Sequence, residues 1–105
     1  MINKVKQLLG LGPEPDFAGL VKQGAIILDV RSKREFAEGH ISSSINISVD
    51  KLNTSMDLFK DKRRPIITCC ASGERSTQAR AILKAKGFPE VHDGGGWRNL
   101  KSKIS

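Results

Sequence analysis

Pro65-Ile66-Ile67-Thr68-Cys69-Cys70-Ala71-Ser72-Gly73-Glu74-Arg75-Ser76 passes from an apolar, β-branched half to a small, polar half. The segment after it spaces Ala79, Ile82 and Leu83 at helical intervals and stops at Gly87. That order predicts a buried strand over Pro65 to Cys69, a short turn and an amphipathic helix. Upstream, Ala25-Ile26-Ile27-Leu28-Asp29-Val30 is apolar except for Asp29. Such a run suits a strand covered on both faces, as in a parallel sheet.

The same alternation extends outward. Asp16 is placed to cap a short helix carrying Phe17, Leu20 and Val21, closed by Gly24. Ser32-Lys33-Arg34-Glu35 is a capping box, and its helix is expected to end at Gly39. Ile45 to Val49 reads as a second strand, and 50–60 as one or two short helical turns. Glu90-Val91-His92 reads as a last strand, and Trp97, Leu100 and Ile104 mark a terminal helix. At the start, Ile2, Val5, Leu8 and Leu9 fall at helical spacing across 1–11 before glycines and prolines interrupt them. Strands alternating with helices predict an α/β fold: a three-layer sandwich with a four- to five-stranded, mostly parallel sheet flanked by helices. One domain over 1–105 is expected, with an amphipathic N-terminal segment at 1–15 and the core at 16–100.

Composition narrows the function. The charged and apolar fractions are ordinary for a soluble protein, and no apolar run approaches the roughly 20 residues of a membrane span. Residues 1–12 lack the apolar core of a signal peptide, so a cytoplasmic chain is the expectation. The net charge is +7, spread along the chain with one concentration at Lys60-Asp61-Lys62-Arg63-Arg64. No aromatic residue is interleaved with that run, so no nucleic-acid partner is expected. A diffuse positive field instead draws small anions.

The only two cysteines, Cys69 and Cys70, are adjacent. Their Cα atoms sit ~3.8 Å apart, whereas disulfides want about 4.4–6.8 Å. They also fall short of a zinc site, and neither histidine has finger-like spacing to them. No metal and no cofactor are expected. Reactivity remains.

Cys70 falls where a strand meets a loop. In Cys70-Ala71-Ser72-Gly73-Glu74-Arg75-Ser76, a tight bend turns successive N–H groups inward, and the next helix adds its positive end. Gly73 permits a backbone conformation closed to other residues, and Arg75 adds a permanent charge. A thiol facing this cradle ionises easily, which makes Cys70 the candidate nucleophile. Glu74 counts against anion binding unless it points to solvent. The reading requires that the Cys70 sulfur meet the loop amides and not the core. The plainer alternative is a surface turn after two buried cysteines.

The 65–76 stretch resembles the active-site strand and loop of the rhodanese family, with its C-x-S-G-x-R-S pattern. Asp29-Val30-Arg31, Glu35-Phe36, Gly39-His40-Ile41 and Ser44-Ile45-Asn46-Ile47 are similar to that family's amino-terminal signature. Gly87-Phe88 and Gly95-Gly96-Trp97 resemble its carboxyl-terminal end. The likeness runs from about 16 to 100. It departs from the family at position 69, commonly aromatic there, in the lack of a clear first strand before Asp16, and in the short Gly94-Gly95-Gly96 ending. The resemblance implies a thiosulfate sulfurtransferase working through a Cys70 persulfide. Arg75 would help hold a small anionic donor such as thiosulfate, and Ala71, Ser72, Gly73 and Glu74 would supply backbone donors. A protein persulfide donor or acceptor is the other partner implied, and a monomer is expected.

Asp29 and Arg31 read as an ion-pair brace beneath the loop, with substrate contact the alternative. His40 reads as an anchor for its turn, and Trp97 as a core or pocket-wall residue. Alternation along the strand turns Cys69 away from Cys70. Two rival functions stay open. Cys69-x5-Arg75 is the spacing of cysteine-dependent phosphatases and arsenate reductases, and an intact Cys70 also suits a sulfur carrier without turnover.

Overall fold

The computed structural model describes residues 14–55 and 61–105. The helical periodicity expected over 1–11, and the last part of the turns expected over 50–60, lie outside them. Within them the order is α1 (Phe17–Lys22), β1 (Ile26–Asp29), α2 (Lys33–Glu38), β2 (Ile45–Asn46), a 3₁₀ helix (Val49–Thr54), β3 (Ile66–Cys70), α3 (Glu74–Ala85), β4 (Val91–Gly96) and α4 (Trp97–Ile104). The four strands form one sheet in the order β2-β1-β3-β4, and every neighbouring pair is parallel.

Strand alternation sorts the core into two apolar layers. Ile26, Leu28, Val30, Ile66 and Cys70 face one side, where they meet Leu52 of the 3₁₀ helix and Ala79 and Leu83 of α3. Ala25, Ile27, Ile67 and Cys69 face the other, against Phe17 of α1 and Trp97 and Leu100 of α4. Both faces are covered, as the near-continuous apolar runs of β1 and β3 require.

Local signals set the helix starts. The Asp16 side chain accepts the Gly19 N–H at 3.0 Å. Ser32 and Glu35 close the capping box reciprocally, with Glu35 N–H donating to Ser32 Oγ at 3.2 Å and Ser32 N–H to Glu35 Oε1 at 3.1 Å.

Three strand boundaries differ from expectation. β2 pairs over Ile45–Asn46 only, not to Val49. Ser48 already serves as N-cap of the 3₁₀ helix, and the Asn46 amide takes the Asp29 and Arg31 carbonyls at 3.0 and 2.9 Å. β3 runs through Cys70, so the candidate nucleophile is the last strand residue. β4 begins at Val91 and continues through the glycines to Gly96. A Cβ on Gly94 would lie 2.7 Å from the Thr68 carbonyl oxygen and 2.9 Å from both Ile67 Cγ2 and Leu100 Cδ2. Only a hydrogen fits there.

The sheet order reverses direction between β1 and β3: the chain leaves β1 for β2 on one side, then returns to β3 on the other. Open parallel sheets bind ligands at such a switch point, beyond the strand carboxyl ends. Asp29 and Cys69 are paired across that seam. Cys70 is the next residue.

Candidate active site

β3 delivers Cys70 to the seam, and α3 begins four residues later at Glu74. The connection is tight because Gly73 sits at φ 106°, ψ −19°. That left-handed region is costly for residues with a Cβ. The turn aims two amides at the sulfur: Gly73 N–H donates to Cys70 Sγ at 2.9 Å and Ser76 N–H at 3.4 Å.

Cradle and core, alternatives in the sequence, coincide in the fold. Cys70 is 1 % exposed and packs in the apolar layer beneath α3. Its sulfur lies against the first turn of that same helix. Burial pushes the thiol up. Hydrogen bonding from Ser76, Gly73 and Ser72 pulls it down, and the balance falls below the ordinary thiol value.

Cys69 is in the opposite situation. It is fully buried in the other layer, and burial, then the Asp29 carboxylate, push its thiol up to about 12 despite the offsetting Arg31. It stays protonated at neutral pH. The register starting at Cys69 therefore lacks a nucleophile on the loop.

The other candidate residues divide by what they touch. Ala71, Ser72 and Glu74 are exposed, and Glu74 stands at the solvent side of the α3 start. Arg75 is committed to Glu35 through two parallel bonds, Nη1–Oε1 at 2.6 Å and Nη2–Oε2 at 2.9 Å. This fork holds the Glu35 carboxyl at about 2 and ties the loop to α2. Asp29 and Arg31 form the brace. Arg31 Nε and Nη2 reach the Asp29 carboxylate at 2.9 and 2.7 Å, and its remaining donors take the Glu35 and Gly39 carbonyls at 3.2 and 2.7 Å. Both residues are buried, at 0 % and 4 % exposure. His40 Nδ1 donates to the Phe36 carbonyl at 2.7 Å and stacks on the Phe36 ring.

The loop motif includes Ser76 without giving it a role, and nothing in the sequence signals Asp93. Ser76 supplies an amide to the sulfur, and Asp93 on β4 holds that turn of α3. Asp93 Oδ1 accepts the Ser76 hydroxyl at 2.6 Å and the Gly95 N–H at 2.9 Å, while Oδ2 accepts the Thr77 hydroxyl at 2.6 Å. Only the cross-sheet pairing of Thr68 with Asp93 brings these groups together. Beside the loop, a depression of about 210 Å³ is lined by Ala71, Arg31, Glu35, Glu38, Trp97 and Arg98, among others.

Residues 15–103 match the rhodanese-like domain family. The chain belongs to that family. Among relatives of this rhodanese-like chain, the thiosulfate sulfurtransferase GlpE of Ectopseudomonas mendocina is 37 % identical over 78 residues, which is 72 % of this chain and 71 % of that protein. The protein of the same name from Stutzerimonas stutzeri is 40 % identical over 77 residues, 69 % of this chain and 67 % of its own length. Among solved structures, a rhodanese with anions from E. coli superposes with a TM-score of 0.68 at 26 % identity, covering 72 % of this chain and 91 % of that one. The four-stranded parallel sheet of this chain thus belongs to a rhodanese-like fold. No helix among the described residues is long and apolar enough to cross a membrane.

Proposed function

We propose that this rhodanese-like domain is a sulfurtransferase that moves a sulfane sulfur from thiosulfate or a persulfide donor to a thiophilic acceptor. The observation that carries the reading is the Cys70 sulfur at a strand end with a loop amide and an amide of the first turn of α3 donating to it, at 2.9 and 3.4 Å. Those donors stabilise negative charge on the sulfur itself. A thiolate forms without a neighbouring base, and among the described residues none is hydrogen-bonded to it.

The chemistry then balances in two displacements. The Cys70 thiolate attacks the outer sulfur of thiosulfate, the S–S bond breaks, and sulfite leaves with the electron pair. The product is a Cys70 persulfide anion, whose terminal sulfur takes over the charge that the amides face. A nucleophile such as cyanide attacks that terminal sulfur, and the Cys70 thiolate is regenerated as thiocyanate departs. Since Cys70 is 1 % exposed, atoms covering it must move before a donor reaches it. The names of the relatives support thiosulfate as the first donor to test.

The test is mass spectrometry of the purified protein after thiosulfate treatment. The expected result is an adduct of one sulfur atom, discharged by cyanide as thiocyanate, lost in Cys70→Ser and kept in Cys69→Ser. An adduct that survives Cys70→Ser, or none at all, overturns the assignment. An adduct that forms but yields no thiocyanate makes the protein a carrier, and hydrolysis of aryl phosphates alone makes it a phosphatase.

A further inference from the structure

The loop-end guanidinium is already paired with a carboxylate. Both Arg75 Nη atoms are engaged by Glu35. The depression that Ala71 lines contains two other arginines. Arg31 is spent on Asp29 and on backbone carbonyls. Arg98, at the second position of α4, has no carboxylate within ion-pair distance among the described residues. Instead it stacks on the Trp97 ring at 4.8 Å, and Arg31 lies over the same ring, also at 4.8 Å.

Charge in the depression can be followed pair by pair. Arg31 is balanced by Asp29 and Glu35 by Arg75. Glu38 lies 3.9 Å from Arg34. What remains uncompensated is the Arg98 guanidinium, steadied by the indole beneath it. Stacking leaves the planar fork of N–H donors free at its edge, which suits a tetrahedral oxyanion.

We infer that Arg98 anchors the anionic end of the sulfur donor, the sulfonate oxygens of thiosulfate or the carboxylate of a small organic persulfide, in the depression beside Ala71. Cys70 and the loop amides act on the transferred sulfur, whereas Arg98 holds the part that leaves. This inference rests on the sulfur-transfer reading for the identity of the donor, but its geometry can be probed without sulfur chemistry.

The experiment compares alkylation of Cys70 by iodoacetate, an anion, with alkylation by neutral iodoacetamide; in both, the thiolate forms an S–C bond and iodide leaves. In Arg98→Ala the iodoacetate rate is expected to fall about fivefold while the iodoacetamide rate holds, and Arg98→Lys is expected to recover part of the loss. In thiosulfate:cyanide assays the same variant is expected to raise KM for thiosulfate by about as much, with kcat unchanged. An iodoacetate-to-iodoacetamide ratio equal to the parent's overturns the anchor even if the Cys70 persulfide forms. A reduced ratio in a protein that takes up no sulfur upholds the anion site and sinks the transfer reading alone.

Discussion

At the residue scale, two opposed thiols sit side by side in one strand. Cys69 and Cys70 share the backbone of β3 but point into different layers, and among the described residues only Cys70 meets N–H donors. Neutral-pH alkylation should therefore modify one thiol, and Cys70→Ser should abolish it while Cys69→Ser leaves it intact. Glu35 offers a second titration. Its carboxyl is held at about 2 by the Arg75 fork, then by the Ser32 backbone, against an ordinary value of 4.5. A depressed native value means that the carboxylate stabilises the fold fully above its unfolded pKa, and that this contribution fades as pH falls toward 2. The side chain is 36 % exposed, so screening keeps the effect below about 1 kcal/mol. Carboxyl NMR should show the Glu35 value rising in Arg75→Ala but staying below the ordinary one, because the Ser32 cap remains. The capping role of Glu35 was legible because Ser32 lies three positions away. Its pairing with Arg75, forty residues on, was not, since only the fold brings α2 to the loop. Asp93 was hidden for the same reason.

At the element scale, two glycines let helices come close to β3. Gly73 occupies φ 106°, and the Gly94 position has a carbonyl oxygen where a Cβ would stand. Gly73→Ala should cost roughly 1–2 kcal/mol of left-handed strain and misaim the amide now on Cys70 Sγ, raising the thiol pKa. Gly94→Ala should cost about 1–3 kcal/mol through crowding of Thr68, Ile67 and Leu100. It should leave the thiol titration nearly unchanged. Urea unfolding together with alkylation against pH separates the two effects. The elements themselves were legible, because apolar runs and caps are local signals. β2 was read too long, since Ile47 and Val49 are apolar for core packing and for the 3₁₀ turn, not for strand pairing. β4 was read too short, because its glycines look like a turn until Gly94 is seen against β3.

At the scale of the whole molecule, the sheet order places every candidate group at one seam. The reversal between β1 and β3 gathers the Asp29–Arg31 brace, the Cys70 loop and the Arg75–Glu35 fork beyond the same strand ends. The sequence shows that strands and helices alternate but not which strands are neighbours, so the loop was readable and its supports were not. The net charge of +7 adds a long-range component. kcat/KM for thiosulfate should fall as ionic strength rises, because screening weakens attraction of the dianion over more than about 10 Å. The central claim, however, is ionisation of one sulfur by its neighbouring amides. Its most direct measurement is the pH dependence of iodoacetamide alkylation at Cys70 in Cys69→Ser. A midpoint clearly below the ordinary thiol value of about 8.5 is predicted, and a midpoint at or above that value would contradict the account.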